Sequence, residues 1–593
     1  MARFTTRPEI RGTFGVVAST HWLATAAGMA VLEKGGNAFD AAVATGFALQ
    51  IAEPHLNGPA GDVPILISPA DGDVKVICGQ GVSPMGATID AYRNLGLDII
   101  PGTGLLATVV PGVFDSWMML LRDHGTMRLR DVLQYAIGFA RDGCPLIENA
   151  CNAITNVREM FETEWTSSAD IFLPGGDVPK AGELFKNPVL ADTYTRILTE
   201  AEAAGSGREG EIEAARKIWS QGFIAETIDA FCRNTEVMDS SGERHRGVLT
   251  GDDLAAWTAT YEQPVSYDYH DHRVYKTGPW GQGPVFLQQL ALLKNFDFSG
   301  MDENDPEFVH TVVEATKLAF ADREAFYGDP NFVDVPIEAL LSDSYNNARA
   351  KLIGTQASMD LRPGEVAGHR SEFVQRLAGL TDQPIISKFD ELPTDEQGVV
   401  SGDTCHFDII DKWGNMVAAT PSGGWLQSSP SIPGLGFCLN TRGQMFWLDE
   451  NSPSRLAPGK RPRTTLTPSF CKREGKPYMA FGTPGGDQQD QWSLHFFLRH
   501  VHFGLNLQEA IEAPSFHTHH FPGSFYPREF DAGSLIVEGR FPQPTIDELS
   551  RRGHKVTVEG DWAIGRVTAA AKDGEMLCAA ANPRFMQGYA AGR

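Results

Sequence analysis

Cysteine is scarce in this chain: eight residues in 593, with no two standing as a CxxC pair. That spacing excludes zinc ribbons and thioredoxin-type redox motifs. Cys78, Cys144, Cys151, Cys232, Cys405, Cys438, Cys471 and Cys578 are expected mostly as small core residues, which fits a reducing compartment. Positive charge is also short. Fifty Lys and Arg face 75 Asp and Glu, for a formal net charge of -25 and a pI near 5.0. The balance argues against a nucleic-acid or anionic-membrane partner. No apolar h-region follows the charges of Met1-Ala2-Arg3-Phe4-Thr5-Thr6-Arg7-Pro8, so no secretory signal is visible. The longest apolar runs, such as 41–52, are too short or too interrupted to span a bilayer. A cytoplasmic location follows as the expectation. Internal repeats and low-complexity tracts are missing too.

What remains is the composition of a soluble globular protein: 42% hydrophobic, 21% charged, mean hydropathy -0.21. The length allows three or four domains or one large α/β unit, with a core that needs no covalent staples.

Gly15-Val16-Val17-Ala18-Ser19 reads as a strand, and Ala24–Lys34 as a helix stopped by Gly35-Gly36. Asn37 caps a second helix over Ala38–Ile51, whose small face (Ala41, Ala42, Ala44, Ala48) suits close packing. The segment Leu56-Asn57-Gly58-Pro59-Ala60-Gly61-Asp62 is aperiodic and reads as a loop. Ile65–Ile67 and Val74–Ile77 form a strand pair around Asp71-Gly72. Residues 108–260 are mostly helical, and 308–327 form another helix before Gly328-Asp329-Pro330. From about 377 to 403 the chain turns acidic and turn-rich, the texture of an exposed linker. Beyond it β patterns dominate. Cys405–Ile410 and Met416–Thr420 make a hairpin, Tyr478–Gly482 is a strand, and a helix spans about 489–503.

The linker runs straight into Thr404. If the peptide bond before it were cut, one residue would carry both a hydroxyl nucleophile and a free α-amine. An α-amine titrates at about 7.7–8.0, so part of it is neutral near pH 7 and can serve as the base. Thr with its own terminal amine is one established way to activate a weak hydroxyl. Gly402-Asp403 can supply the accessible turn that presents the scissile carbonyl. Downstream, Gly482-Thr483-Pro484-Gly485-Gly486-Asp487 joins a strand to a helix, and two glycines allow backbone N–H groups to converge on an oxyanion. Taken singly, the two segments also fit an ordinary strand start and a simple strand-to-helix turn.

Taken in order, the segments resemble the γ-glutamyltransferase (glutathione hydrolase) family of N-terminal-nucleophile hydrolases, from about residue 15 to the C-terminus. The motifs are Gly35-Gly36-Asn37-Ala38-Phe39-Asp40-Ala41-Ala42-Val43-Ala44, Glu53-Pro54, Asn57-Gly58-Pro59-Ala60-Gly61-Asp62, Pro111-Gly112, Ala140-Arg141-Asp142-Gly143 and Tyr327-Gly328-Asp329-Pro330. Asp403-Thr404-Cys405-His406-Phe407 with Asp411-Lys412-Trp413-Gly414-Asn415 matches the family's nucleophile segment and hairpin. Pro458-Gly459-Lys460-Arg461-Pro462, Thr464-Thr465 and Gly482-Thr483-Pro484-Gly485-Gly486 follow.

The resemblance implies an α/β (α+β) fold, a four-layer αββα sandwich, and a precursor cut between Asp403 and Thr404. The large subunit would be 1–403 and the small one 404–593, held together as a heterodimer that dimerises further or not. It implies Thr404 as nucleophile, Gly485 and Gly486 as the oxyanion hole, and Ser422 as a second hydroxyl beside the nucleophile. Thr464 and Thr465 stand where the family has two serines that bind the substrate carboxylate. The partners implied are a small-molecule amide and a water or amine acceptor, without metal or other cofactor.

Departures from the family pattern bear on the substrate. Cys405 replaces a Thr of the nucleophile segment. Gln80 replaces the arginine that grips the glutamyl α-carboxylate, and cannot form a charged bidentate clamp. Met445 replaces the acid that binds the α-ammonium, Arg442 replaces a Gln, and Gly424 replaces an Asn. These changes resemble the branch with cephalosporin-acylase-like proteins and oxamate amidohydrolase. The expected substrate is an amide of a small acyl group that carries a carboxylate and no amine, with Arg442 as carboxylate partner. Another reading makes Arg442 a surface residue paired with Asp449 or Glu450. A true γ-glutamyltransferase with a rebuilt pocket is the alternative function. His517-Thr518-His519-His520 raises metal catalysis, but lacks HExxH or CxxC spacing.

Overall fold

The computed structural model describes residues 4–369, 373 and 403–593. Of the linker expected at about 377–403, all but Asp403 lies outside the described residues.

Fourteen strands build the centre. In chain order they are β1 (Ile10–Gly12), β2 (Gly15–Ser19), β3 (Val63–Ser68), β4 (Lys75–Gly79), β5 (Thr260–Glu262), β6 (Val265–Tyr269) and β7 (His272–Lys276). After the linker come β8 (Phe407–Asp411), β9 (Met416–Ala419), β10 (Ser469–Arg473), β11 (Lys476–Gly482), β12 (Thr568–Asp573), β13 (Met576–Ala581) and β14 (Tyr589–Gly592). One seven-stranded sheet runs β14-β2-β8-β9-β3-β4-β5 and the other β1-β13-β12-β11-β10-β7-β6. Neighbours in both are antiparallel. Each sheet thus mixes strands from before and after residue 403.

Strand alternation creates the layers. Val16, Ala18, Leu66, Ile410, Met416 and Ala418 of the first sheet meet Phe470, Ala480, Ala570 and Ala579 of the second in a core between the sheets. Their neighbours Val17, Ile65, Ile67, Ile409 and Val417 point the other way, onto helices α1 (Trp22–Glu33), α2 (Ala38–Ala52), α3 (Val113–His124) and α4 (Leu129–Asp142). On the far side of the second sheet, Val274, Met479 and Phe481 pack with α5 (Pro284–Leu293), α6 (Pro306–Phe326) and α7 (Gln489–Phe503). Helix, sheet, sheet, helix is the expected αββα order.

The local expectations hold in detail. Asn37 caps α2 by accepting from the Phe39 and Asp40 amides, and Asp40 closes the capping box. One reading needs enlarging: all fifteen residues of α2 are buried, so its packing is not confined to the small-residue face. All eight cysteines are free thiols, and seven are buried. Among the described residues no helix is long and apolar enough to cross a membrane.

Candidate active site

Thr404 precedes β8 and is buried beneath two partner segments. It forms a bridge with Ser422, and the Cys405 amide donates to the Pro421 carbonyl at 3.0 Å. Ser422 and Asp62 exchange both backbone hydrogen bonds, at 3.0 and 2.8 Å. The aperiodic loop 56–62 therefore floors the site. Thr404 Oγ1 donates to Ser422 Oγ at 3.3 Å, and Ser422 Oγ donates to the Asp403 carbonyl oxygen at 2.9 Å. A third side chain, Gln489 Nε2, reaches Thr404 Oγ1 at 3.5 Å. The hydroxyls thus link the Thr404 hydroxyl, the expected nucleophile, to the Asp403 carbonyl. Such a link can accept the nucleophile's proton and polarise the acyl carbon.

Gln489 stands at the start of α7, just past the glycine pair. Gly485 has φ +119° and Gly486 has φ +55°, conformations that favour glycine. A Cβ on Gly485 would lie 2.1 Å from Trp492 Cζ3. Arg323 holds the Asp487 carboxylate, which also accepts from the Ser524 amide at 2.8 Å and hydroxyl at 2.7 Å, pinning the loop from below. The turn and the N-terminus of a fifteen-residue helix favour negative charge here.

The expected substrate residues fall into two groups. Thr464 joins the Gly485-Gly486 turn through Gln282: the Gln282 amide donates to the Thr464 carbonyl at 3.0 Å, and its Nε2 to the Gly486 carbonyl at 3.4 Å. Thr465 Oγ1 is buried without a hydrogen-bond partner. Gly424, at φ +68°, follows Ser422 by two residues and packs on the 57–62 loop. Met445 is fully buried at the end of a 3-10 turn that begins with Arg442. Gln80 is buried; its Nε2 bonds the Gly81 carbonyl at 3.1 Å and its Oε1 is unpartnered.

Arg442 corrects one alternative. It is 1% exposed, not on the surface, because the 3-10 turn tucks it under the floor loop. Its Nε and Nη2 donate to Asp62 Oδ1 at 3.2 and 3.0 Å, and Glu450 pairs with Arg93 instead. Burial raises the Asp62 carboxyl, while Arg442 pulls it back down.

One participant, Arg566, had no local signal, and another, Glu53, stood in the Glu53-Pro54 motif without an assigned role. Arg566 forms an ion pair with the Asp403 carboxylate, and its amide bonds Thr483 Oγ1 at 3.3 Å. Burial lowers its guanidinium to about 10, against the pull of Glu53. Glu53 accepts from Thr20 Oγ1 at 2.7 Å, from Cys405 Sγ at 3.1 Å and from Gln587. Burial, then the Glu53 charge, pushes the Cys405 thiol well above its usual range, so it is a poor nucleophile. Gln489 was legible in hindsight: it opens the helix after the glycine pair.

The histidine cluster does not converge. His517 and His519 meet at 3.1 Å through their Nε2 atoms, but His520 faces the Asp360 carbonyl and the Gly533 amide. His310, Glu314 and His554 lie close together elsewhere. There Lys317 at 2.7 Å and Arg362 at 3.0 Å already neutralise Glu314.

Two face-packed antiparallel sheets between helices, with a threonine hydroxyl linked through a serine to the carbonyl before it, are the arrangement of an N-terminal-nucleophile hydrolase. The chain belongs to the gamma-glutamyltranspeptidase family, whose profile matches residues 24–592. It is 33% identical to the glutathione hydrolase-like YwrD proenzyme of Bacillus subtilis, over 97% of this chain and 98% of that one. The solved structure of LmbA2991HD is similar at 55% identity and a TM-score of 0.93, covering both chains fully. That of cephalosporin acylase from Bacillus halodurans is similar at 29% identity and a TM-score of 0.83, over 100% of this chain and 98% of the other.

Proposed function

We propose that the chain cuts itself between Asp403 and Thr404, and that the matured enzyme hydrolyses an amide of a small carboxylate-bearing acyl group through a Thr404 acyl-enzyme. The observation that carries the first step is the hydrogen-bonded series from Thr404 Oγ1 through Ser422 Oγ to the Asp403 carbonyl. Gly485 and Gly486 hold the oxyanion, and the freed α-amine of Thr404 acts as base in later turnovers. The interleaved strands keep 1–403 and 404–593 together after the cut.

The substrate class follows from the site's side chains. An α-ammonium needs a carboxylate when buried, and at the matching position Met445 is apolar and buried. Likeness to a cephalosporin acylase supports an acyl group other than γ-glutamyl. The test is a panel of γ-glutamyl anilide, oxamate and dicarboxylic monoamides on matured protein. Turnover of the carboxylate-bearing amides with little on the γ-glutamyl compound is the expected result. Robust γ-glutamyl turnover overturns the reading.

A further inference from the structure

In the uncleaved chain, the acyl group presented to Thr404 is that of Asp403 itself. From its carbonyl carbon the skeleton runs through Cα and Cβ to a carboxylate, which is a succinyl skeleton. That carboxylate is held at both oxygens. Oδ1 accepts from the Thr404 amide at 2.8 Å, and Oδ2 pairs with Arg566. The Arg566 side chain is 8% exposed and that of Asp403 27%, so the guanidinium is buried and the carboxylate reaches it from the partly open side.

We propose that Arg566 serves twice: it holds the Asp403 carboxylate before self-cleavage, and afterwards binds the carboxylate of the substrate's acyl group at succinyl spacing. The inference rests on the proposed hydrolysis of carboxylate-bearing amides and assigns the cation that recognises them.

Cleavage itself empties the place. Thr404 Oγ bonds to the Asp403 carbonyl carbon, the C–N bond breaks, and the hydroxyl proton ends on the departing Thr404 nitrogen. Water then cleaves the ester, its OH going to the acyl carbon and its proton returning to Oγ. Asp403 is now a chain end no longer tethered to Thr404, and its effective concentration at Arg566 drops. A buried guanidinium without a partner is costly, which favours an incoming carboxylate. A substrate carbonyl on the same attack path places its own carboxylate where Asp403 had one.

Arg566 is better placed for this than other cations near the site. Arg442 is already bonded to Asp62 through two nitrogens. Gly565 and Gly485 both pack on Trp492, and the Arg566 amide bonds Thr483, so the guanidinium is held in register with the oxyanion turn. Glu53, the other carboxylate acting on Arg566, has its oxygens engaged by Thr20, Cys405 and Gln587.

The test compares succinyl, glutaryl and butyryl p-nitroanilides on matured wild type, R566Q and R566K, with maturation followed on denaturing gels. Wild type is expected to prefer succinyl over butyryl by about a hundredfold or more in kcat/KM, as for a buried charge pair, and to prefer succinyl over glutaryl. R566Q is expected to mature slowly and to lose that preference through KM. A soluble R566Q that stays full length supports the first role. R566K, which keeps the charge but not the fork, then tests the second by an about tenfold drop in preference. Unchanged preference in the matured variants overturns the second role, maturation of R566Q at the wild-type rate overturns the first, and preference for glutaryl overturns the spacing. Wild type that acts on γ-glutamyl anilide and on none of the carboxylate-bearing amides sinks the substrate reading instead.

Discussion

Ser422→Ala removes, among the described residues, the one hydroxyl that touches both Thr404 and the carbonyl that the proposed self-cleavage attacks. Two interactions go at once. The 2.9 Å hydrogen bond to the Asp403 carbonyl is lost, and so is the acceptor 3.3 Å from Thr404 Oγ1. Removing one preorganised donor from a developing oxyanion costs about 2.7–4 kcal/mol, or about 10²–10³ in rate. No neighbour replaces it: Gln489 approaches Thr404 with its Nε2, a donor, while its Oε1 accepts from the Thr467 amide at 3.1 Å. The Ser422 backbone bonds to Asp62 survive the substitution, so the fold should too. The assay is a denaturing-gel time course of full-length chain turning into fragments of about 43 and about 21 kDa, sizes from the cut position at ordinary residue mass. The half-life for maturation should lengthen about a hundredfold or more, and Ser422→Thr should restore part of it. A Ser422→Ala half-life within about threefold of wild type would refute the hydroxyl series as the processing device.

Arg442→Ala strands Asp62 as a buried charge, and should destabilise the protein by about 3–5 kcal/mol. Denaturant unfolding in a Thr404→Ala background, where both proteins remain one chain, measures it; a loss under about 1 kcal/mol contradicts the pairing. Gly485→Ala should abolish turnover in otherwise folded protein, since both the +119° φ and Trp492 oppose a side chain; near-normal kcat would remove the turn from the chemistry. Burial, then Arg455, pulls Lys460 from 10.5 down to about 7. Its folded value lies below the unfolded one, so the unfolded chain binds more protons between pH 7 and 10.5 and stability rises with pH there, by about 1.4 kcal/mol per unit. Melting temperatures across that range should climb more steeply in wild type than in Lys460→Met, and parallel curves would contradict it.

Much of the site was legible because short motifs carry their own chemistry. A hydroxyl next to a potential α-amine, and a glycine pair between a strand and a helix, mean the same thing wherever the fold puts them. The β8–β9 hairpin, the Asn37 cap and the helix after Gly486 follow from period, turn and cap residues within a few positions. Arg442 shows where such reading stops. Its charge was visible, but its partner Asp62 is 380 residues away, and nothing local distinguishes a buried arginine from an exposed one.

The sequence by itself placed Thr404 directly after Asp403 and a glycine pair between a strand and a helix, since each depends on residues adjacent in the chain. The four-layer order was an expectation from the family resemblance, and it is carried out by core strands whose alternate side chains face the other sheet and the helices. Only the tertiary structure decided how the side chains around Asp403 and Thr404 meet. Ser422, expected beside Thr404 from the family resemblance, is joined there by Gln489, while Arg566 reaches Asp403; the three come from separate segments, and their meeting depends on strand register and loop packing that no local pattern encodes. The charge around the acyl group was decided the same way: long-range pairing buries Asp62 with Arg442 and brings the half-buried Asp403 to the buried Arg566.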